Sequence, residues 1–250
     1  MGLIPTDDRQ YLEERFGKEL EHEVKIELFT RSSLSQAVDD NATTHRDSEL
    51  AELAEACQVT EQLFAELATI SLKIILEWHD LDTPSGEQAA VAANINPEML
   101  PAFQYKSAGL AGTSRYFGMP TGFEFGTLIE TISDFSRSTT ELSATTQQKI
   151  KAIDTPLEIL IFVTPTCGYC PAAVRMANQA AMLNSNLSVA VIEANEFNDL
   201  ANSYYVYGVP RTVINEKTGF DGAVSEAVFV TNLERAVKAA QNQQEISPKA

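Results

Sequence analysis

Two cysteines separated by two residues are the clearest chemical feature of the sequence. They occur as Cys167-Gly-Tyr-Cys170, after the continuous apolar run Glu158–Thr164 and before a helical pattern over Ala172–Leu183. Two thiols at this spacing, at the start of a helix, lie on one face and are close enough to form a disulfide. The helix start also presents unpaired backbone N–H groups, which stabilise the nucleophilic thiolate form. The pair therefore indicates thiol–disulfide exchange.

The two cysteines are expected to have different roles. Cys167 is the more exposed thiol and is suited to attack a substrate disulfide. Cys170, one turn deeper, is shielded and is suited to resolve a mixed disulfide from inside. Pro171 falls in the first turn, where proline costs a helix little stability, and it stiffens the site. We expect these two cysteines to be the catalytic residues.

A zinc site and a buried structural pair are the alternatives for Cys167 and Cys170. Zinc would need a second C-x-x-C or histidines at ligand spacing. The chain has no second C-x-x-C, and its remaining cysteine and histidines show no such spacing: Cys57, His22, His45 and His79. Two core cysteines would fit poorly beside Thr, Gly and Tyr at a strand-to-helix turn. We therefore expect no metal and no cofactor.

The elements around the cysteine pair recur in the first half of the chain. An alternating strand at Val24–Thr30 corresponds to the apolar strand at Glu158–Thr164. Leu100-Pro101 and Val209-Pro210 each precede a short strand, and a glycine turn and a helix follow each strand. This order of landmarks indicates internal duplication of an α/β unit. Val209-Pro210 is also expected to be a cis peptide bond, because an X-Pro opening a strand recurs in the same position.

The duplication predicts two α/β domains, residues 1–135 and residues 136–250. The first domain contains a polar stretch, near residues 31–56, which is interpreted as a loop inserted between its first strand and first helix. The end of that stretch is expected to extend the following helix backward, with Ser48 as its N-cap.

Composition excludes several classes of function. The chain has 250 residues, 44% of them hydrophobic, and a net charge of −17 from 18 basic and 35 acidic side chains. This charge repels phosphate backbones and anionic lipids, so we expect neither nucleic-acid nor membrane partners. Three cysteines are too few for a secreted disulfide scaffold, and the first ten residues lack the basic and apolar regions of a secretory signal. We expect a cytoplasmic protein.

The motifs together resemble a known family. A strand, a Cys-x-Tyr-Cys at a helix start and an X-Pro before a hairpin resemble the thioredoxin/glutaredoxin fold. Nearly the whole chain is similar to the two-domain protein disulfide oxidoreductases of thermophilic archaea and bacteria, through Asp82-Thr-Pro-Ser-Gly86, Arg115-Tyr-Phe-Gly-Met-Pro120 and Phe162–Pro171. The resemblance implies two tandem thioredoxin-like domains, each a central mixed β-sheet flanked by helices. It also implies protein disulfide or dithiol substrates and an electron donor like thioredoxin reductase.

The resemblance also implies how substrate binds. Pro210 would be the cis-proline that faces the two cysteines, and the backbone of Val209 would pair with the substrate strand. The neighbours of the cysteines are expected to contact the substrate as well: Thr166, Gly168 and Tyr169. Glu193, which ends the predicted strand Val189–Ile192, is a possible proton relay for Cys170, although an acid at a strand end is usually exposed. Trp78 is expected to lie in the core.

The first half departs from the family pattern. It carries Cys57-Gln-Val-Thr60, so this degenerate site has a threonine where the resolving cysteine would stand. Helical neighbours such as Leu53 and Phe64 favour a buried, structural Cys57. Two alternative functions remain open. Tandem folds with only the second one active are also similar to the amino-terminal domain of the flavoprotein that reduces alkyl hydroperoxide reductase, a dedicated electron shuttle to a peroxidase. A redox-silent module that binds clients beside Pro101 is the other.

Overall fold

The computed structural model describes residues 2–34 and 45–246, and the side chains of residues 2–34 and 48–242. The chain forms two compact units. The first comprises residues 1–107 and 115–119, and the second comprises residues 108–114 and 120–250. The described part of each unit contributes to a sheet of four strands.

The first unit is built on a central strand with a parallel and an antiparallel neighbour. Its strand order is β2-β1-β3-β4, in which β1 pairs parallel with β2 and antiparallel with β3, and β3 pairs antiparallel with β4. The elements, in chain order, are α1 (Thr6–Glu19), β1 (Val24–Thr30), α2 (His45–Ile70), β2 (Ile74–Asp80), α3 (Pro84–Ala93), β3 (Ala102–Lys106) and β4 (Thr113–Phe117).

The second unit repeats this arrangement after two further helices. Strand β5 is central, with β6 parallel on one side and β7 antiparallel on the other, and β8 pairs antiparallel with β7. The elements are α4 (Phe123–Arg137), α5 (Ala144–Lys151), β5 (Leu157–Val163), α6 (Cys170–Leu183), β6 (Leu187–Glu193), α7 (Asn198–Ser203), β7 (Arg211–Ile214), β8 (Thr218–Asp221) and α8 (Glu226–Ile246). The mixed α/β architecture predicted from the repeated landmarks is confirmed.

Apolar strands and amphipathic helices form the core of each unit. In the second unit the side chains of Ile159, Ile161 and Phe162 on β5 are completely buried, as a strand covered on both faces requires. Helix α4 buries the apolar side of its helical repeat, including Ile132 and Phe135. It ends the first sequence repeat but packs within the second unit, against α6.

Helix α2 is longer than the sequence pattern indicated. It begins at His45, so Ser48 lies inside it and is not the N-cap. The Ser48 hydroxyl instead donates to Glu52 Oε1 at 3.4 Å. The end of the predicted inserted stretch is therefore helical, whereas residues 35–44 lie outside the described residues.

Trp78 does not lie in the core, contrary to the expectation. It is about half exposed, at 51%, near the end of β2, and its indole N–H donates to Thr30 Oγ1 at 2.5 Å. Strand β2 pairs with β1 and stands at the end of the strand order, which leaves side chains of β2 accessible. Among the described residues, no helix is both long enough and apolar enough to cross a membrane.

Candidate active site

Cys167 and Cys170 form a disulfide where strand β5 leads into helix α6. Their Cα atoms are 5.5 Å apart, within the usual range for bonded cysteines. Cys167 is half-buried in the loop that precedes the helix, whereas Cys170 is the first helical residue and is completely buried. The order of accessibility predicted from the sequence is therefore confirmed.

The backbone at the start of α6 is directed at the sulfur of Cys167. The N–H of Cys170 donates to Cys167 Sγ at 3.1 Å, and the Cys167 N–H donates to the Thr164 carbonyl at 3.1 Å. Pro171 occupies the first turn, as expected. A hydrogen bond and a helix amino terminus at one sulfur stabilise negative charge there, so the geometry favours Cys167 as thiolate after reduction.

The predicted substrate-binding residues lie around this disulfide loop and the start of β7. Val209–Pro210 is a cis peptide bond, as predicted, and so is Leu100–Pro101. Phe162 of β5 pairs with Arg211 of β7, which places Pro210 beside the end of β5, from which the loop to Cys167 departs. Pro210 is buried and Val209 is half-buried, whereas the remaining three residues are half-buried to exposed: Thr166, Gly168 and Tyr169.

Glu193 is buried, not exposed as acids at strand ends usually are. It pairs in register with Val163 at the end of β5. Burial raises its pKa, yet both carboxylate oxygens have partners: Asn195 Nδ2 donates to Oε1 at 3.0 Å and the Glu196 N–H donates to Oε2 at 2.6 Å. Glu193 therefore holds the turn that follows β6.

A second buried acid, Glu124, was missed by the sequence reasoning. It lies in the first turn of α4 and is 1% exposed, and neither carboxylate oxygen has a hydrogen-bond partner of normal geometry among the described residues. Burial raises its pKa to about 7, and the nearby Thr127 hydroxyl offsets only part of this effect. An unpartnered buried carboxyl that titrates near neutrality is a candidate proton donor and acceptor.

The start of α4 is pressed against the loop that carries Cys167. The Phe123 N–H donates to the Pro165 carbonyl at 2.9 Å. Gly122 has a φ of +59°, and a Cβ at this position would lie 2.2 Å from the Pro165 oxygen, so only glycine fits. A Cβ on Gly168 would lie 4.0 Å from the Phe123 ring. Glu124 follows this contact directly, and the Gly-Phe-Glu sequence was the signal that could have revealed it.

A charged network fixes α4 to α6 within the second unit. Asp134 is buried and accepts hydrogen bonds from Arg175 Nε at 2.7 Å, Arg175 Nη2 at 3.0 Å and Gln179 Nε2 at 2.8 Å. Burial alone would raise the pKa of Asp134, but the bonds from Arg175 and Gln179 outweigh it and hold that pKa below its ordinary value. The network thus holds the helix that begins with Cys170 against the helix that begins beside Glu124.

Cys57 has a different setting in the first unit. It is buried inside α2, well after the start of that helix. Thr60, in the predicted resolving position, is also buried, and its hydroxyl donates to the Ala56 carbonyl at 2.7 Å. Cys57 therefore does not occupy a helix start as Cys167 and Cys170 do, and the sequence alignment of Cys57 with Cys167 has no structural counterpart.

One group of three potential metal ligands occurs among the described residues. Glu27, Glu77 and His79, in the first unit, place ligand atoms within 4.8 Å of one another, a proximity that sequence spacing did not reveal. Lys25 Nζ donates to Glu77 at 2.7 Å, and the Gln104 amide donates to Glu27. The carboxylates thus already have protein partners, and we assign no metal to this cluster.

The chain is similar to known redox proteins. The Thioredoxin domain family matches residues 157–246. The alkyl hydroperoxide reductase protein AhpF of Pseudomonas aeruginosa is 26% identical over 115 residues, 46% of this chain and 22% of that protein. The Escherichia coli protein of the same name is 23% identical over 174 residues, 70% of this chain and 31% of that protein. The chain therefore spans between a fifth and a third of the length of these relatives.

Solved structures share the fold of almost the whole chain. The NTD_N/C domain of alkylhydroperoxide reductase AhpF from Enterococcus faecalis matches with a TM-score of 0.72 and 21% identity, covering 92% of this chain and 99% of that one. A protein disulfide oxidoreductase from Aeropyrum pernix matches with a TM-score of 0.71 and 21% identity, covering 94% of each chain. The predicted tandem thioredoxin-like fold is confirmed. Residues 157–246 are a thioredoxin domain, and its Cys167–Cys170 pair is that of a thiol–disulfide oxidoreductase.

Proposed function

We propose that the second unit alone exchanges disulfides, with Cys167 as the attacking cysteine and Cys170 as the resolving cysteine. The observation that carries this proposal is the hydrogen bond from the Cys170 N–H to Cys167 Sγ, together with the complete burial of Cys170. The sulfur that receives backbone stabilisation is also the one that an incoming disulfide reaches first. The same reasoning applies in reverse when the Cys167–Cys170 disulfide accepts electrons from a dithiol.

The exchange proceeds in two balanced steps. Cys167 thiolate attacks one sulfur of the substrate disulfide, forming a mixed disulfide and releasing the other substrate sulfur as thiolate. Cys170 then loses its proton and attacks Cys167, which closes the intramolecular disulfide and releases the second substrate thiolate. Two electrons pass from the enzyme dithiol to the substrate. The proton of Cys170 needs an acceptor, because that thiol is completely buried.

Glu124 is the better supported acceptor for this proton. Its carboxylate oxygens have no partner of normal geometry among the described residues, and its pKa of about 7 allows it to take and return a proton at neutral pH. Glu193, the acid expected from the sequence, has both oxygens occupied by the turn that follows β6. The clamp of Phe123 on Pro165 supports a position for Glu124 on the side of the cysteine loop.

Substrate is proposed to dock along the start of β7 and the accessible cysteine loop. Val209 keeps its backbone groups for pairing with an extended substrate strand, and Pro210 faces the cysteines without offering an N–H. Thr166, Gly168 and Tyr169 are at least partly accessible and would contact the substrate on the other side.

The physiological substrate is proposed to be a peroxidase disulfide, with general protein disulfides as the alternative. The AhpF relatives, which are alkyl hydroperoxide reductase proteins, support an electron shuttle, since the chain matches part of their length at 22–26% identity. A reductase-like protein would supply the electrons. A cytoplasmic location suits this role, because cytoplasmic reductants keep dithiols reduced.

Insulin reduction and mixed-disulfide trapping test the proposal together. Cys170→Ser should accumulate a mixed disulfide between Cys167 and the substrate, seen as a mass increase that dithiothreitol reverses. Cys167→Ser should neither turn over insulin nor form this adduct. A redox-silent binding module would instead show no turnover in the unaltered chain, and an adduct on Cys170 rather than on Cys167 would reverse the assigned roles.

A reconstituted chain of electron transfer separates the two substrate classes. The dithiol form of the chain is mixed with an oxidised two-cysteine hydroperoxide peroxidase or with insulin, and the rates of disulfide reduction are compared. A peroxidase rate at least about tenfold higher supports the dedicated shuttle, and comparable rates support a general reductase.

A further inference from the structure

We propose that Phe123 is a specificity-determining residue, which contacts an apolar side chain beside the cysteine of a protein substrate. This inference rests on the proposed function, because it concerns the substrate that reaches Cys167. Phe123 would favour polypeptide disulfides over small-molecule disulfides. It precedes the segment that the Thioredoxin domain family matches, residues 157–246, so the family pattern does not identify it.

The exposure of Phe123 sets it apart from the other large apolar residues of α4. Phe123 is 54% exposed. Four others are at most 3% exposed and form the core side of the helix: Leu128, Ile129, Ile132 and Phe135. The Phe123 ring thus presents apolar surface to solvent, surface that is available to be buried by a partner.

The position of the ring is fixed with respect to the cysteine loop. The Phe123 N–H is hydrogen-bonded to the Pro165 carbonyl, and Gly122 makes a backbone approach to Pro165 that no side chain would allow. The backbone of Phe123 is therefore held by the same loop that carries Cys167. An anchored aromatic ring loses little conformational entropy when a partner binds, and anchors of this kind contribute strongly to interfaces.

The ring is also close to the disulfide itself. A Cβ on Gly168 would lie 4.0 Å from the Phe123 ring, and Gly168 directly follows Cys167. Because Gly168 has no side chain, the space between the ring and its backbone is open to an incoming chain. Tyr169, the next residue, is 75% exposed and extends the aromatic surface.

This geometry distinguishes two kinds of substrate. A polypeptide whose disulfide reaches Cys167 has flanking residues that must pass over Gly168, where they meet the Phe123 ring. A small disulfide brings only its two sulfurs and short substituents, and it needs no contact with Phe123. The matching occupant is an apolar residue next to the substrate cysteine, since the ring carries no charge and the chain as a whole carries −17.

The experiment compares Phe123→Ala with Phe123→Leu and with the control Val228→Ala, a partly exposed residue of α8. The value of kcat/KM is measured for two cystine peptides, one with leucine and one with serine beside the cysteines, and for hydroxyethyl disulfide. Phe123→Ala should lower kcat/KM for the leucine peptide by about fivefold to tenfold, with less than about twofold change for the other two substrates. Phe123→Leu should restore most of the loss, and Val228→Ala should change nothing.

An equal loss for all three substrates would overturn the inference, because it would mean that Phe123 only supports the disulfide loop. No loss for the leucine peptide would overturn it as well. Failure of the proposed function gives a different result, since the unaltered chain would then turn over none of the three substrates.

Discussion

The two units share an order of strands but differ where the first helix begins. In the second unit the loop after β5 leads to Cys167, and α6 starts at Cys170, so backbone N–H groups meet a sulfur. In the first unit Cys57 lies deep within α2, where the backbone N–H groups are committed to the helix. The comparison shows that a cysteine at a helix start has a chemical environment that a cysteine inside a helix lacks.

The buried acids teach the same lesson about partners. Glu193 and Glu124 are both buried in the second unit, and burial raises the pKa of each. Glu193 is held by Asn195 and Glu196, whereas Glu124 has no partner of normal geometry among the described residues. Burial alone does not separate a structural acid from a reactive one, because the hydrogen bonds decide which carboxylate is available for proton transfer.

The largest expected effect tests the contrast between the two cysteine environments. Cys167→Ser should lower insulin reduction by at least about a thousandfold, because no other accessible thiol can replace the nucleophile. Cys57→Ser should leave the rate within about twofold, since Cys57 is buried inside α2. A large loss of activity in Cys57→Ser would show that the first unit takes part in exchange.

A smaller but still large effect is expected from the unpartnered acid. Glu124→Gln should slow the resolution step by about tenfold to a hundredfold at pH 8, where the carboxylate accepts the Cys170 proton. The matched control is Glu193→Gln, which removes the acid held by the β6 turn and should change this step by less than about threefold. Stopped-flow decay of the mixed disulfide measures the step, and a larger effect of Glu193→Gln would favour the acid first expected from the sequence.

Glu124 should also govern the pH dependence of stability. Its pKa in the folded chain, about 7, is above the unfolded value, so its contribution is present below the unfolded pKa and is lost as pH rises through about 7. The unaltered chain should lose roughly 3 kcal/mol from this group between pH 4.5 and pH 8. Urea unfolding at both pH values should show a smaller loss in Glu124→Gln, and an unchanged loss would contradict the burial of an ionisable Glu124.

The next effect concerns the network that holds α4 against α6. Asp134→Asn should lower the free energy of unfolding by about 2–3 kcal/mol at pH 7, because Arg175 loses two charge-assisted hydrogen bonds. The folded pKa of Asp134 is lowered, so its contribution is present above the unfolded pKa and is lost as pH falls through the folded value. Denaturant titrations at pH 7 and pH 3 should therefore show a smaller difference between variant and unaltered chain at pH 3.

The smallest expected effect comes from restoring the second cysteine of the first unit. Thr60→Cys, introduced together with Cys167→Ser, gives the first unit a C-x-x-C that begins at Cys57, but it should give no insulin reduction. Both positions are buried inside α2, so neither thiol can reach a substrate disulfide. Measurable turnover by this double variant would show that the geometry of α2 opens in solution, and it would narrow the difference between the units.

Much of the fold follows from local sequence signals. The apolar run of β5, the alternating pattern of β1 and the recurring X-Pro and glycine landmarks predicted two α/β repeats. Cys167-Gly-Tyr-Cys170 before a helical pattern predicted the disulfide and the order of accessibility, because spacing of three residues and a helix start are local properties. The cis bond at Val209–Pro210 was likewise predicted from its position before a strand.

Burial and contacts distant in sequence were decided by the tertiary structure alone. Trp78 has the composition of a core residue, yet β2 stands at the end of the strand order and leaves it half exposed. Glu124 and Phe123 precede the cysteine pair by many residues, and only the backbone contact with Pro165 brings α4 to the cysteine loop. Sequence periodicity reports which face of an element is apolar, but the packing of other elements determines which polar groups lose their water and find no partner.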